Sequence, residues 1–383
     1  LKQLGIYIHI PFCVHKCYYC DFISYVDKLE KVKEYIKALK KEIELTIYKK
    51  NYSIDTIYIG GGTPSCIESK YIKEIMNKLK EYNIQQDVQI SIEINPGTVN
   101  KEKLRDYLEV GINRLSIGLQ STNNKLLKQI GRIHTYETFL KTYEEARNVG
   151  FNNINVDLIQ ALPNQTIDIL EESVKKIVKL APEHISIYSL ILEEDTILYK
   201  SVRNKEIKLV DEKLERQMYW RTKQILESNK YIHYEISNFA KTGCYSKHNM
   251  NCWEQKEYIG LGVAAHSYIN KIRYSNTTNI EEYINTLKDI KDIEEIKKSK
   301  LRTIHEIQTK EEEQKEYFLL GLRKLEGINI ENFKQKFIQN PIYLYRNELN
   351  ELVQKDLIEI DLNNIRLTKK GLDFANIVWE KFI

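Results

Sequence analysis

The 383-residue chain has no run of about 18 or more apolar residues, which excludes a membrane-spanning helix. Its front, LKQLGIYIHIPF, has neither the apolar stretch nor the small-residue cleavage site of a secretory leader, although Leu1 in place of Met leaves room for a further front piece. It also lacks a charge excess. The 58 Lys and Arg are interleaved with 54 Asp and Glu for a net +4, which is not the footprint of a dedicated nucleic-acid binder. Cysteine is scarce, with six in the whole chain. Without an export signal, free thiols in a reducing, cytoplasmic setting are expected. Ile, Lys, Asn and Tyr are abundant, but so evenly spread that they speak of genomic base composition rather than function.

Three of the six cysteines, Cys13, Cys17 and Cys20, fall within PFCVHKCYYCDF (11–22); Cys66, Cys244 and Cys252 are scattered. A structural zinc ion wants four ligands in a closed tetrahedron, so His9, His15 or Asp21 would have to serve as the fourth. A 4Fe-4S cluster held by three thiolates keeps one iron open for chemistry. The Cys–x3–Cys–x2–Cys spacing fits the second reading better, with zinc as the alternative.

The first half alternates strand-like and helix-like segments. Strands are predicted at 5–11, 54–62, 88–96, 114–121, 153–163 and 184–194, and amphipathic helices at 69–83, 100–111 and 166–181. Six β–α repeats imply a parallel sheet wrapped by helices, which places ligands at the carboxyl ends of its strands. Cys13, GGGTP (60–64), Glu93 and Gln120 fall there, and Asp157 lies within the fifth strand. Beyond, a helix is predicted at 211–230 and one strand at 231–239. The lysine-rich segments 31–50 and 281–300 read as solvated helix faces. The tail reads as helices, a hairpin turning at Asn363–Asn364 and a last helix, a winged-helix-like module. Three parts are expected: 1–240, a connecting segment 241–295, and 296–383.

CVHKCYYC resembles the cluster motif of the radical S-adenosylmethionine (SAM) superfamily, and IYIGGGTPS (57–65) resembles its glycine motif; the Lys–Ser/Thr pair of a phosphate-binding loop is absent. The resemblance implies a partial (β/α)6 barrel in which three cysteines and exchangeable SAM complete a 4Fe-4S cluster. The match extends to the branch that holds oxygen-independent coproporphyrinogen III oxidases and HemW-type haem chaperones. Carried over residue by residue, it implies SAM contacts from Tyr7, Tyr19, Gly61, Gly62, Thr63, Glu93, Gln120, Arg132 and Asp157. Carboxylates suit ribose hydroxyls or an ammonium, and a guanidinium suits a carboxylate.

Two features favour the chaperone side. The oxidases carry a further cysteine where this chain has Phe22, and HNMNCW (248–253) resembles the chaperones' HNxxYW motif, with Cys252 in place of Tyr. The resemblance then implies haem ligated by His248, with His266 and His233 as alternatives, on the carboxyl side of the barrel or next to it. A helical turn would put Cys252 on the His248 face, and Trp253 could cover a porphyrin face. The implied partners are haem, a haem-accepting protein such as a respiratory one, and a reductant such as ferredoxin or flavodoxin. A homodimer is compatible, and no nucleic acid is expected. The alternative function is SAM-dependent oxidative decarboxylation of coproporphyrinogen III.

Overall fold

A computed structural model describes residues 1–47 and 52–383. Its first half runs β1 (Lys2–Ile10), α1 (Val32–Thr46), β2 (Tyr52–Gly61), α2 (Ser69–Leu79), β3 (Ile84–Ile94), α3 (Lys101–Glu109), β4 (Arg114–Gln120), α4 (Asn124–Gln129), α5 (Tyr136–Val149), β5 (Ile154–Gln160), α6 (Ile167–Leu180) and β6 (His184–Ser189). The six strands pair in sequence order and all in parallel. Helix starts follow local chemistry: the Asn100 side chain accepts from Lys103 N at 2.9 Å, a cap worth ~1 kcal/mol. The end of the helix expected over 31–50 lies outside the described residues.

Successive strand side chains point to opposite faces. In β1 to β6 one face is Ile, Leu and Val, among them Ile6, Ile8, Ile57, Ile59, Ile92, Leu115, Ile117, Val156 and Ile185, all buried in the main core. The other face carries Gly5, Tyr7 and His9, then Thr56 and Tyr58, Ser91 and Glu93, Arg114 and Ser116, Asn155 and Asp157, His184 and Ser186. Groups on β2 and β6 sense each other across this polar face, as Tyr58 does Tyr188. The sheet therefore curls into the expected partial barrel, with a polar lumen and an apolar outer layer under the helices.

The sheet continues past the barrel. After α7 (Ile197–Arg203) and α8 (Glu212–Ser228) come β7 (Ile232–Glu235) and β8 (Asn238–Ala240). The single strand expected over 231–239 is thus an antiparallel pair, because Glu235 turns the chain by accepting from Ser237 N at 2.8 Å. α9 (Lys247–Trp253) follows, then β9 (Tyr258–Leu261), which pairs in parallel with β1. β10 (His266–Ile269), β11 (Ile272–Asn276), α10 (Ile280–Asp289), α11 (Ile293–Lys298) and β12 (Arg302–Ile307) extend that edge. The large sheet therefore runs past residue 296.

The tail builds its own core from Phe318, Phe333, Phe337, Leu352, Ile365 and Phe382. Its elements include α12 (Lys310–Gly321), β13 (Ile328–Asn329), α13 (Ile330–Phe337), β14 (Ile358–Ile360) and β15 (Asn364–Leu367), the strands ordered β13-β15-β14 and antiparallel. The hairpin turns over residues 361–363 rather than at Asn363–Asn364, because Asp361 Oδ1 accepts from both Asn363 N and Asn364 N at 2.8 Å.

Candidate functional site

At the carboxyl end of the lumen, the loop after β1 carries the three cysteines. Cys13 is buried; Cys17 and Cys20 are half-buried, and no thiol in the chain is in a disulfide. The loop is anchored by Cys13 N donating to Tyr25 O and Tyr18 N donating to Ile130 O, both at 3.0 Å. Burial pushes the Cys20 thiol up to about 11, a cost that a bound metal would relieve by taking the thiolate. Among the described residues no three His, Cys, Asp or Glu side chains converge to ligate a single metal ion. A cube, whose thiolates each take a different iron, asks for no such convergence. His9 is not free to serve as a fourth zinc ligand, since Tyr7 OH occupies its Nδ1 at 3.0 Å and Ile23 O its Nε2 at 2.9 Å.

The glycine motif lies against this loop. Gly62 N donates to Ile10 O and Thr63 N to Phe12 O. A Cβ on Gly62 would sit 3.0 Å from Cys13 Sγ and 2.7 Å from Phe12 O, so only glycine allows the approach. Gly61 takes φ +113° and gives its N–H to Glu93 Oε2 at 3.2 Å. Tyr58 OH donates to Glu93 Oε1 at 2.9 Å, and Tyr7 stacks on Tyr58. Burial raises the Glu93 carboxyl to about 7; Tyr58 opposes this, Asp157 adds to it, and the Gly61 N–H and Arg114 oppose it further. Burial also raises Asp157, which accepts from Asn155 Nδ2 at 2.7 Å and Ser116 Oγ at 3.1 Å.

Arg132 approaches from the loop after α4. Its Nη1 donates to Cys17 Sγ at 3.4 Å, and its Nη2 donates to Asn95 Oδ1 at 2.8 Å and to Gly118 O. Its Nε is buried without a partner. Asn95 Nδ2 in turn donates to Thr63 Oγ1 at 2.9 Å. Gln120 closes β4 in the left-handed region at φ +74°. Tyr19 packs beside Ile130, Ile159 and Leu162 and stays a neutral phenol through burial. The structure thus brings Tyr7, Gly61, Gly62, Thr63, Glu93, Gln120, Arg132 and Asp157 to one end of the lumen, with Tyr19 on the cluster loop beside them. The closely held carboxylates, the glycine cradle and an unpartnered guanidinium N–H suit a ligand bearing an ammonium, hydroxyls and a carboxylate.

His248 lies elsewhere. The expectation is the carboxyl side of the barrel or next to it; α9 instead brings His248 to the amino half of the lumen, where Nδ1 bonds Thr56 Oγ1 at 3.0 Å and its ring stacks on Tyr58 at 5.4 Å. Only 7% of it is exposed, and burial, helped by Arg114, holds it neutral with a pKa of about 4. Nε2 has no hydrogen-bond partner among the described residues. Polar staples hold the helix to the starts of β2 and β3: Lys247 N donates to Gln89 Oε1 at 2.8 Å, and Asn251 Nδ2 to Asp55 Oδ2 at 2.9 Å. The Cys252 thiol is raised by burial to about 12, so it is not a ready thiolate. The Trp253 ring is covered by the Arg323 guanidinium, 4.4 Å from its centroid, instead of lying open. His233 is buried and stacked on Phe239 at 4.2 Å, whereas His266 is exposed and stacked on His305 at 5.5 Å.

The sequence reading missed Tyr58, Asn95, Asn155 and Arg114. The strict alternation of TIYIG, ISIEIN, RLSIG and INVDL was the signal that could have found them, since it marks every second residue as lining one face.

Residues 7–177 match the radical SAM superfamily and residues 308–374 the HemN C-terminal domain. The chain is 36% identical over 386 residues to "Heme chaperone HemW" of Lactococcus lactis, covering 100% of this chain and 98% of the relative. It is 37% identical over 380 residues to the Bacillus subtilis protein of the same name, with 98% of each covered. Among solved structures, coproporphyrinogen III oxidase (HemN) from Escherichia coli superposes with a TM-score of 0.82 at 22% identity, over 100% of this chain and 90% of that one, a likeness of fold. The chain therefore belongs to the HemW family of the radical SAM superfamily.

Proposed function

We propose that this chain is a haem carrier of the HemW type, which binds haem and passes it to an acceptor protein. Cys13, Cys17 and Cys20 would hold a 4Fe-4S cluster, and Tyr7, Tyr19, Gly61, Gly62, Thr63, Glu93, Gln120, Arg132 and Asp157 would contact SAM. When bound, the cluster supplies one-electron chemistry to SAM. The chain's own part is to orient SAM through Glu93 and Asp157, to present the cradle of Gly61–Thr63, and to hold Tyr7 and Tyr58 as neutral walls.

The single observation that carries the haem reading is the imidazole of His248. One nitrogen is fixed by Thr56 and the other has no partner among the described residues, the arrangement that orients a histidine as a metal ligand. Because His248 is on the inner, buried face of α9, haem reaches it by displacing this helix, breaking its staples to Gln89 and Asp55. Haem and cluster then occupy opposite ends of the barrel. An acceptor protein, an electron donor and a homodimer belong to the same reading.

The coproporphyrinogen oxidase reading draws on the HemN-like fold. Against it stands Phe22, 62% exposed on the cluster loop where those enzymes have cysteine. The test is anaerobic reconstitution followed by haem titration and coproporphyrinogen turnover on one sample. Tight haem binding without vinyl-bearing product supports the carrier; turnover at ordinary enzyme rates overturns it.

A further inference from the structure

Arg114 opens β4 and points into the lumen, yet only 2% of it is exposed. Among the described residues its guanidinium makes no hydrogen bond or ion pair, and its Nε is buried and unpartnered. A guanidinium carries a permanent positive charge, and an unpaired ion is costly in a protein interior. Something in the lumen must compensate it.

The register shows what does. Arg114 pairs across the strands with Ser91; the next inward residue on β4, Ser116, pairs with Glu93 on one side and Asn155 on the other. Arg114 thus enters one step below Glu93 and, since Gly118 is the residue opposite Asp157, two steps below Asp157. Both carboxylates already spend their oxygens on uncharged donors: Tyr58 and Gly61 N for Glu93, Ser116 and Asn155 for Asp157. The other groups facing them are Tyr7, Tyr188 and Arg132; the phenols are kept neutral by burial, and Arg132 is committed to Cys17, Asn95 and Gly118. The two histidines that feel Arg114, His184 and His248, are held neutral by burial. Arg114 is therefore the cation that faces the carboxylate pair from below, acting through space while leaving their coordination to a ligand.

We propose that Arg114 is a positioning residue for the SAM site, supplying the positive field in which Glu93 and Asp157 meet SAM as carboxylates. The inference rests on the reading that Glu93 contacts SAM. A purely structural cation would stabilise the barrel equally at every pH. An electrostatic one shifts the pH at which the cofactor binds, because protonating Glu93 removes the acceptor.

SAM affinity is measured by equilibrium dialysis on the anaerobically reconstituted chain across the neutral range. For the unaltered chain, affinity is full above the Glu93 midpoint of about 7 and falls as pH drops through it. Arg114→Gln moves that midpoint upward by ~1 pH unit, a loss of roughly fivefold at neutral pH that approaches tenfold in acid and narrows in alkali, and Arg114→Lys moves it back. Arg114→Met, which adds no buried amide, serves where the glutamine variant does not fold. Infrared titration of the protonated carboxyl band in the SAM-free chain, assigned by its absence in Glu93→Gln, shifts in the same direction. An unchanged midpoint, or an affinity loss equal at all pH values, overturns the role of Arg114 when Glu93→Gln itself weakens binding and flattens the pH profile. If Glu93→Gln binds SAM with the original affinity and profile, the SAM reading of Glu93 fails and the inference falls with it.

Discussion

The two ends of the barrel lumen are built from the same strands but finished in opposite ways. At the carboxyl end, carboxyls are raised by burial, Arg132 Nε lacks a partner, and apolar side chains such as Val14, Phe22 and Ile133 stand more than half exposed on the surrounding loops. At the amino end Arg114 stands unpaired among the described residues, but the polar groups beside α9 close on one another. Both His184 nitrogens are bonded, to Asn155 Oδ1 and Tyr234 OH at 2.7 Å, and Tyr234 OH in turn accepts from Ser246 N at the cap of α9. One end is strained toward a ligand; the other is latched. Among the described residues the latch still holds one unpaired ligand atom, His248 Nε2, so on the proposed reading haem binding there would be coupled to opening, whereas cofactor binding at the far end would not.

The largest effects that sharpen this contrast fall on the cluster. Cys13→Ala, Cys17→Ala or Cys20→Ala removes the brown absorbance of the reconstituted chain, whereas Cys66→Ala and Cys244→Ala retain it. Retained absorbance in any of the first three breaks the assignment of that end.

Next comes the cost stored in Glu93. A carboxyl raised in the folded chain from 4.5 to about 7 stays protonated over a range where the unfolded chain has already ionised. The unfolded state binds fewer protons there, so SAM-free stability falls as pH rises between those values, by on the order of 2–3 kcal/mol. Glu93→Gln should flatten that slope in denaturant unfolding at a series of pH values. A slope equal to that of the unaltered chain removes the claim that this end is strained.

The latch yields a smaller, kinetic effect. Gln89→Ala and Asp55→Ala each remove a staple of α9, and at ~1 kcal/mol per hydrogen bond should raise the rate of haem association several-fold without changing SAM affinity. Stopped-flow mixing reads this directly; an unchanged rate means that α9 does not have to open. Smallest of all is Cys252. As a neutral thiol it should contribute little, so Cys252→Ser alters haem affinity less than His248→Ala, and Cys252→Tyr is tolerated. A Cys252→Ser effect equal to that of His248→Ala contradicts this.

Much of the carboxyl end was legible because its signals are local. Three cysteines within eight positions and three glycines in a row declare close backbone approach to a cluster, and strands ending in Glu93 and Gln120 deliver side chains to one end of any parallel sheet. The amino end was not legible, for a physical reason. Its pairs join residues far apart in the chain, 192 positions for Thr56 and His248 and 50 for His184 and Tyr234. Nothing in HNMNCW says which end of the barrel its helix enters. Arg114 was hidden differently: RLSIG reads as an ordinary strand start, and only the register places its charge beneath two carboxylates. The turns missed at Ile236–Ser237 and at 361–363 were set by single carboxylates, Glu235 and Asp361, accepting backbone N–H groups.

The most direct test of the two-ended account is haem titration of the cluster-reconstituted chain and of His248→Ala, followed in the haem and iron–sulfur bands of the same sample. Haem ligated at the amino end predicts at least ~10-fold weaker binding and a shifted haem spectrum in the variant, with the iron–sulfur absorbance unchanged. Unaltered haem affinity and spectrum in His248→Ala would contradict it, and would turn attention to the exposed His266.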